Sequence, residues 1–433
     1  MSEVTNVDAS TARPLNRLRS IIGGSAGNLV EWYDWYVYAA FSPFFAKAFF
    51  PEGDTTAQLL SAAVVFAVGF LARPVGAWLM GLYADRNGRK SALTLSVAVM
   101  CGGSLAIALC PDFASIGVAA PAILVIARLV QGLSLGGEYG ASATYLSEMA
   151  ARKHRGFWSS FQYVTLISGQ LLALAVLLVL LAFLGEAEIE AWGWRIPFVI
   201  GGVLAVTVFW LRRGLNETPS FEAAKGEERT KTLWLWLRHP KETAIVMGLT
   251  AGGTLAFYTY TTYMQKFLAN TAGFSRDAAA QIMTGALFVF MLLQPLVGLL
   301  SDRIGRRPVM IGFGVLGVLG TWPILTMLES TRDPGLAFAL VMASLIIVSG
   351  YTSVNAVVKA ELFPTRVRAL GVALPYAIAN AIFGGTAEMV GLWFKDIGHE
   401  RWFYGYVTAM IGVSLLVYVF MRDTRDHSLI KED

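Results

Sequence analysis

The sequence predicts an all-α membrane protein whose twelve transmembrane helices form two pseudo-symmetric bundles of six. Apolar residues make up 55% of the 433 residues and charged residues only 15%, whereas an ordinary soluble chain carries about 25% charged residues. Apolar runs of roughly 20 residues, the length of a membrane-spanning helix, recur throughout the chain. A polar loop pattern also occurs twice, about half a chain length apart, which indicates an internal repeat.

The chain divides into twelve apolar segments separated mostly by short polar loops. The predicted spans are 20–46, 57–84, 91–110, 120–147, 156–185, 195–212, 242–268, 278–301, 308–328, 335–358, 368–394 and 402–421. An even number of spans places both termini on the same side of the membrane. The predicted organisation is a tail at 1–19, a six-helix bundle at 20–212, a linker at 213–241, a second bundle at 242–421 and a tail at 422–433.

Lysine and arginine are distributed unevenly between the two sides of the membrane. The tails and loops on one side, including the linker and a loop at 359–368, hold 25 of the 34 lysines and arginines, and the opposite side holds seven. Because positively charged loops remain in the cytoplasm, both termini and the linker are predicted to be cytoplasmic.

The fourth predicted span carries glycines on one face. Gly132, Gly136 and Gly140 recur every four residues. Small residues at this spacing let two membrane helices approach closely, so the pattern predicts a tight helix pair.

Two loop motifs recur at matching points of the two halves. The pattern G-x-x-x-D-R-x-G-R-R/K begins at Gly81 and again at Gly298, 217 residues later. A glutamate followed seven residues later by an arginine occurs at 148–155 and again at 361–368. The charged residues of these motifs are candidate gating residues: Asp85, Arg86, Arg89, Glu148, Arg155, Asp302, Arg303, Arg306, Glu361 and Arg368. The aspartates end their helices, where a negative charge opposes the helix dipole and therefore needs a partner.

Ionisable residues lie at middle depths of several predicted spans. Each one costs at least about 2.5–3.5 kcal/mol at the bilayer centre, so each needs a reason. The first half holds Glu31, Asp34, Arg73, Arg128 and Glu138. Buried ion pairs are one interpretation, but three acids and two arginines do not cancel, and buried pairs stabilise poorly. A cavity that binds an anion and a proton explains both signs.

Roles follow from the chemistry of these side chains. Arginine grips a carboxylate with a planar fork of donors, so Arg73 and Arg128 are candidate substrate clamps. A carboxyl group in a low-dielectric cavity can take up a proton near neutral pH, so Glu31, Asp34 and Glu138 are candidate proton acceptors. The four histidines fall in predicted loops and tails. A structural pairing of Glu138 with Arg128 is equally compatible with the sequence.

The second half contributes fewer charges but many polar groups. Lys266 either faces the cavity or extends to the membrane surface, as a long basic side chain can. Glu388 is a further candidate for proton coupling. The polar side chains expected at the substrate site in this half are Tyr258, Tyr263, Asn355, Tyr376 and Asn380.

The repeated loop motif resembles the loop signature of the major facilitator superfamily. Other stretches resemble its metabolite:proton symporter branch, whose members carry organic acids, shikimate or betaine-like solutes: 27–34, 73–74, 128–132, 136–139, 192–198 and 361–368. The resemblance covers nearly the whole chain and implies a major facilitator fold that moves a small organic acid with protons. Carriers of 2-oxoglutarate are most similar, partly through 161–170, which adds Gln162, Tyr163 and Gln170 to the expected substrate site.

The resemblance also implies how the cytoplasmic side closes. Asp85 is expected to face the N-terminus of the eleventh span in the opposite half, supported by Arg89 and Arg368. This contact would hold the cytoplasmic side shut and break on inward opening.

The expected partners are 2-oxoglutarate, protons and the lipid bilayer, and the chain is expected to be a monomer in a bacterial inner membrane. No cofactor, metal or nucleic acid is expected. A symporter of another small acid, such as citrate, a dicarboxylate or shikimate, is an alternative, and a transporter-like metabolite sensor is another. An enzyme is not expected, because no nucleophile–base or metal-ligand set occurs in the sequence.

Overall fold

A computed structural model describes residues 14–87, 89–136, 146–147, 150, 152–213, 239–364 and 368–430. The helices of the first half are α1 (Pro14–Phe49), α2 (Thr55–Asn87), α3 (Arg89–Leu109), α4 (Phe113–Ile116), α5 (Ala119–Leu135), α6 (Arg155–Phe183), α7 (Gly185–Ala191) and α8 (Ile196–Arg213). Those of the second half are α9 (Pro240–Tyr258), α10 (Met264–Asn270), α11 (Arg276–Ile304), α12 (Arg306–Ser330), α13 (Pro334–Thr352), α14 (Asn355–Glu361), α15 (Arg368–Ala379), α16 (Ala387–Asp396) and α17 (Glu400–Phe420).

The prediction of twelve membrane helices is confirmed. Seven of the described helices are long and apolar enough to cross a membrane by themselves, and Gly185–Ala191 with Gly193–Thr207 forms an eighth candidate that bends by 70°. The remaining spans are α1, α3, α5 and the pair α9–α10. The sequence did not predict α4 and α7, because these short helices lie in the loops between apolar runs. Most of the predicted linker lies outside the described residues.

Two spans contain a π-helical turn at middle depth. Thr259–Tyr263 joins α9 to α10, and Asn380–Gly384 joins α15 to α16. A π-helical turn inserts one extra residue into the helical repeat, so it redirects side chains and exposes carbonyl groups. Neither turn was predicted, since apolar periodicity alone does not distinguish α from π geometry.

The helix pair α2–α5 is held close by glycine. A Cβ atom at Gly132 would collide with the carbonyl oxygen of Gly69, and one at Gly136 with the carbonyl oxygen of Arg73. The predicted close approach is therefore confirmed for these two glycines, and Gly140 lies outside the described residues.

The two halves touch at both ends of the membrane. Helix α6 packs along α11, and α2 packs against α15 and α16. At one end Asp302 bonds to the start of α6. At the other end Asn270 donates to Thr56 and Arg276 pairs with Glu190. The described residues of the two halves are therefore in contact at both ends of the helices, which the sequence alone could not specify.

We expect Gly132→Ala to lower the melting temperature of the purified protein by several degrees. The added methyl group would push α2 from α5, and overpacking of this kind costs about 1–3 kcal/mol. Gly102→Ala is the matched control, because a Cβ atom there meets no atom within 4 Å. Equal melting temperatures for the two variants would contradict the close approach.

Candidate functional site

A narrow cavity lies where the two halves meet. Its volume is about 20 Å³, which is room for about one water molecule. The lining residues are Asn28, Trp32, Arg73, Leu135, Gly136, Ala373, Tyr376, Ala377 and Asn380. Helices α1, α2, α5 and α15 and the second π-helical turn therefore all contribute to this cavity.

Arg73 is the cation of this cavity. Its side chain is buried, and its guanidinium carbon lies 4.1 Å from the ring centroids of both Trp35 and Phe70. The phenol groups of Tyr36, Tyr258 and Tyr376 are its electrostatic neighbours. Within the described part of the chain, its Nε and Nη2 atoms have no hydrogen-bond partner. A guanidinium group with two unused donors is suited to a carboxylate, which it can bind through both oxygens.

Arg128 occupies a different place from Arg73. It is fully buried, and its guanidinium carbon lies 3.9 Å from the centroid of Trp35 and 4.5 Å from that of Tyr38. Among the described residues, the walls of the cavity do not include Arg128. Both guanidinium groups therefore pack against the ring of Trp35, but of these two arginines only Arg73 lines the cavity.

A hydrogen-bond chain connects Arg128 to Asp34 inside the first half. Arg128 Nη1 donates to Gln131 Oε1 at 3.0 Å, and Gln131 Nε2 donates to Asp34 Oδ2 at 2.7 Å. Ser104 donates to Asp34 Oδ1 and accepts from Gln131. Asp34 thus faces α3 and α5. Glu31 is also buried on α1, and Glu138 lies outside the described residues, as does its suggested pairing with Arg128.

Lys266 and Glu388 form a buried ion pair in the second half. Lys266 Nζ lies 2.6 Å from Glu388 Oε1, and both side chains are almost inaccessible to solvent. The alternative in which Lys266 extends to the membrane surface is wrong, because its neighbour on α16 satisfies the charge internally. The pair is close to Tyr263, whose hydroxyl group donates to Glu400 in the outer loop network.

The other expected polar residues surround the cavity at varying distances. Asn380 accepts from Thr254 at 2.5 Å, and its Nδ2 atom has no partner within the described ranges. Tyr163 lies close to Tyr376 and Asn355. Gln170 donates to the carbonyl oxygen of Thr261, which lies in the first π-helical turn. Gln162 is buried on α6.

The position of Lys359 in the structure differs from the predicted one. It was counted with a cytoplasmic loop, but the structure places it in α14 with its side chain fully buried. Its Nζ atom donates to Asn355 at 2.9 Å and lies 4.0 Å from the ring centroid of Tyr376. The broken helix α13–α14 extends this span beyond its predicted end, and no local pattern indicated that extension.

Asp302, one of the candidate gating residues, forms a contact between the two halves. Its carboxylate accepts from the backbone nitrogens of Gly156 and Phe157 at 2.8 and 2.9 Å, and Arg306 donates to it at 2.7 Å. The positive end of the α6 dipole therefore compensates the acid at the end of α11. Glu361 lies 3.7 Å from both Arg306 and Arg155, which extends the network across the halves.

The first copy of the motif is only partly visible. The side chains of Asp85, Arg86 and Arg89 and the residues Glu148 and 365–367 lie outside the described part of the structure.

In the second copies of the motifs, Arg368 donates to the carbonyl oxygens of Phe363 and Leu429. The side chain of Arg303 is exposed.

The C-terminal tail, residues 422–430, lies across this contact between the halves. Asp423 accepts from the backbone nitrogens of Arg306 and Arg307, at the start of α12. Thr424 donates to Glu361 at 2.6 Å, and Arg155 of the first half donates to Ser428 at 3.2 Å. The tail thus binds charged groups of both halves, a contact that the sequence did not predict.

These features define a membrane transporter that closes around a central site. The chain belongs to the Sugar (and other) transporter family, whose family model matches residues 21–244 and 228–433. The α-ketoglutarate permease of Escherichia coli (strain K12) is 56% identical over 406 residues, covering 94% of each chain. The citrate-proton symporter of Salmonella typhi is 32% identical over 415 residues, covering 94% of this chain and 95% of its own.

Solved structures agree on the fold. The crystal structure of a D-xylose-proton symporter superposes with a TM-score of 0.75 at 20% identity, covering 94% of this chain and 98% of that one. The proton:xylose symporter bound to 6-bromo-6-deoxy-D-glucose gives 0.76 at 18% identity, covering 95% and 97%. The resemblance stated from the sequence is confirmed, and the named relatives are transporters, as expected for a carrier rather than an enzyme.

We expect the tail to hold the gate closed. Ending the chain after Met421 should expose the α6–α11 contact more often, because the bonds to Glu361, Arg155 and the start of α12 are lost. In a Cys101→Ala/Cys110→Ala background, Ser160→Cys reports this opening, since Ser160 is fully buried on α6. A membrane-permeant maleimide should label it several-fold faster in the truncated protein.

The control for the truncation is Ala272→Cys, a buried position between Asn270 and Arg276, which contact the first half at the opposite end of the helices. It should not label faster after truncation. Equal labelling of Ser160→Cys with and without the tail would show that the tail does not hold the gate.

Proposed function

We propose that this protein imports 2-oxoglutarate together with protons by alternating access. The observation that carries the proposal is Arg73, a buried cation with unused donors in a cavity that both halves enclose. The 56% identity to an α-ketoglutarate permease supports the same substrate. Citrate-proton symporters among the relatives make citrate the competing substrate.

We propose a monomer in the cytoplasmic membrane of a bacterium, with both termini inside. The excess of lysine and arginine on one side supports this orientation. The bundle at 20–212 would rotate against the bundle at 242–421, with 213–241 as the cytoplasmic linker. Asp302 supports the proposed gate, and the repeat suggests the equivalent contact of Asp85 with the start of α15.

Charge balance favours protons as the coupling ion. Importing a dianion against 100 mV, inside negative, costs about 4.6 kcal/mol, twice the value for one charge. Two protons would cancel that charge. Asp34 is the proposed proton acceptor, because it is buried and connected to Arg128, whereas Glu388 is already paired with Lys266.

The substrate is tested by uptake into proteoliposomes with labelled 2-oxoglutarate, citrate, succinate and shikimate. We expect only 2-oxoglutarate to accumulate under an inward proton gradient. Arg73→Lys should then weaken 2-oxoglutarate binding about ten- to hundredfold at every pH, because it keeps the charge but loses one charge-assisted hydrogen bond worth about 1.5–3 kcal/mol.

The matched control for the clamp is Arg332→Lys, an exposed arginine in an outer loop. The affinity of this variant for 2-oxoglutarate should equal that of the native protein. Normal binding by Arg73→Lys would remove Arg73 from the substrate site, and preferential uptake of citrate would replace the proposed substrate.

Asp34→Asn should separate exchange from accumulation. The neutral amide mimics the protonated acid, so exchange of labelled for unlabelled 2-oxoglutarate, which moves no net proton, should continue. Uphill uptake driven by a pH gradient should be lost. Asp396→Asn, at an exposed outer position, should retain both activities. Continued accumulation by Asp34→Asn would place the proton site elsewhere, with Glu31, Glu138 and Glu388 as the other candidates.

A further inference from the structure

Gln131 lies between the proposed proton acceptor and a buried arginine. Its Oε1 atom accepts from Arg128 Nη1 at 3.0 Å, and its Nε2 atom donates to Asp34 Oδ2 at 2.7 Å and to Ser104 Oγ at 3.0 Å. Because a guanidinium group can only donate, the amide oxygen must face Arg128. The amide nitrogen therefore faces Asp34, and the amide dipole is aligned between a cation and an anion.

The surroundings of Asp34 leave few other groups that could transmit its charge. Ser104 on α3 donates to Asp34. The titratable and charged neighbours are Cys101 on α3, Arg128 on α5 and Tyr33 on α1 itself. From α8, Gly201 lies against the carboxylate. Of these groups, only Arg128 has a hydrogen-bonded connection to Asp34 through a side chain with both a donor and an acceptor.

Protonation of Asp34 changes the strength of this connection. A hydrogen bond to an ionised carboxylate is roughly twice as strong as one between neutral groups. With Asp34 ionised, Gln131 is held firmly and keeps its oxygen on Arg128. With Asp34 protonated, the bond from Gln131 becomes an ordinary one, and the acid can donate to the Ser104 oxygen by rotation of that hydroxyl group. The guanidinium group of Arg128 is then held less tightly.

Arg128 in turn is connected to the cavity through an aromatic ring. Its guanidinium carbon lies 3.9 Å from the centroid of Trp35, and that of Arg73 lies 4.1 Å from the same centroid. A change in the position of Arg128 therefore acts on the ring that also supports the substrate-facing cation.

We propose that Gln131 is the positioning residue that couples the proton on Asp34 to substrate binding at Arg73, by holding Arg128 more firmly while Asp34 is ionised. The inference rests on the proposed role of Asp34. It goes beyond that role because it assigns the link between proton and substrate to an uncharged side chain.

Gln131→Met tests the link by removing the amide while keeping a side chain of similar length. Exchange of labelled 2-oxoglutarate should continue, which also shows that the variant is folded. With a gradient of one pH unit, each coupled proton supports about tenfold accumulation, and the variant should lose this accumulation. Gln294→Met is the matched control, because Gln294 is a fully buried glutamine of the second half that accepts from Thr352 and Ser353.

Gln131→Glu gives a readout that a merely structural role would not change. The introduced carboxyl group can still accept from Arg128, but it lies beside the carboxyl group of Asp34. Because two neighbouring carboxyl groups keep one proton to higher pH, the pH of half-maximal accumulation should rise by about one unit. Gln294→Met should leave that pH unchanged.

The outcomes distinguish this inference from the proposed function. Loss of accumulation in both Asp34→Asn and Gln131→Met, with exchange retained and an alkaline shift in Gln131→Glu, supports the link. Normal accumulation by Gln131→Met while Asp34→Asn has lost it overturns the role of Gln131 and leaves the proton site intact. Normal accumulation by Asp34→Asn overturns both.

Discussion

The site depends on the burial of two guanidinium groups against one indole ring. Trp35 is inaccessible to solvent, and both Arg73 and Arg128 lie about 4 Å from its centroid. A desolvated cation–π contact contributes about 2 kcal/mol or more, which is comparable with the lower insertion costs of a mid-membrane charge. The aromatic cage therefore makes burial tolerable but does not use the arginine donors. Gln131 provides an acceptor for Arg128, whereas the Nε and Nη2 atoms of Arg73 have no hydrogen-bond partner among the described residues.

The described residues of the two halves neutralise intramembrane charge differently, although the same loop motifs recur in both halves. In the second half, Lys266 and Glu388 neutralise each other directly at 2.6 Å. Removing one partner of such a pair leaves an uncompensated charge and costs about 3–5 kcal/mol, so the pair favours a fixed α10–α16 contact. In the first half, the opposite charges of Arg128 and Asp34 are separated by an amide, which leaves the carboxylate able to exchange a proton without breaking a direct ion pair.

The fold was more predictable from the sequence than the site, for physical reasons. A bilayer requires each backbone polar group to bond within its own helix, so apolar length and repeat offset were sufficient to predict twelve helices in two bundles. Charged candidates such as Arg73 and Asp34 were also visible, because a mid-span charge is costly. The partners of the charged residues could not be predicted, because residues far apart in sequence, such as Lys266 and Glu388, meet only through tertiary packing. The role of Trp35 could not be predicted, because nothing in the sequence distinguishes it from the many other aromatic residues. Lys359 was assigned to a loop because its helix continues past the end of the apolar run.

The electrostatic interaction between the proposed proton site and the proposed substrate site has the sign that symport requires. If Asp34 and Arg73 have the roles proposed above, a proton on Asp34 removes a negative charge near Arg128 and makes the potential at Arg73 more positive, so an anion binds more strongly. By thermodynamic reciprocity, a bound anion favours the protonated acid by the same free energy. A substrate and a proton of opposite charge therefore promote each other's binding, whereas exchange of the two in opposite directions would work against this attraction.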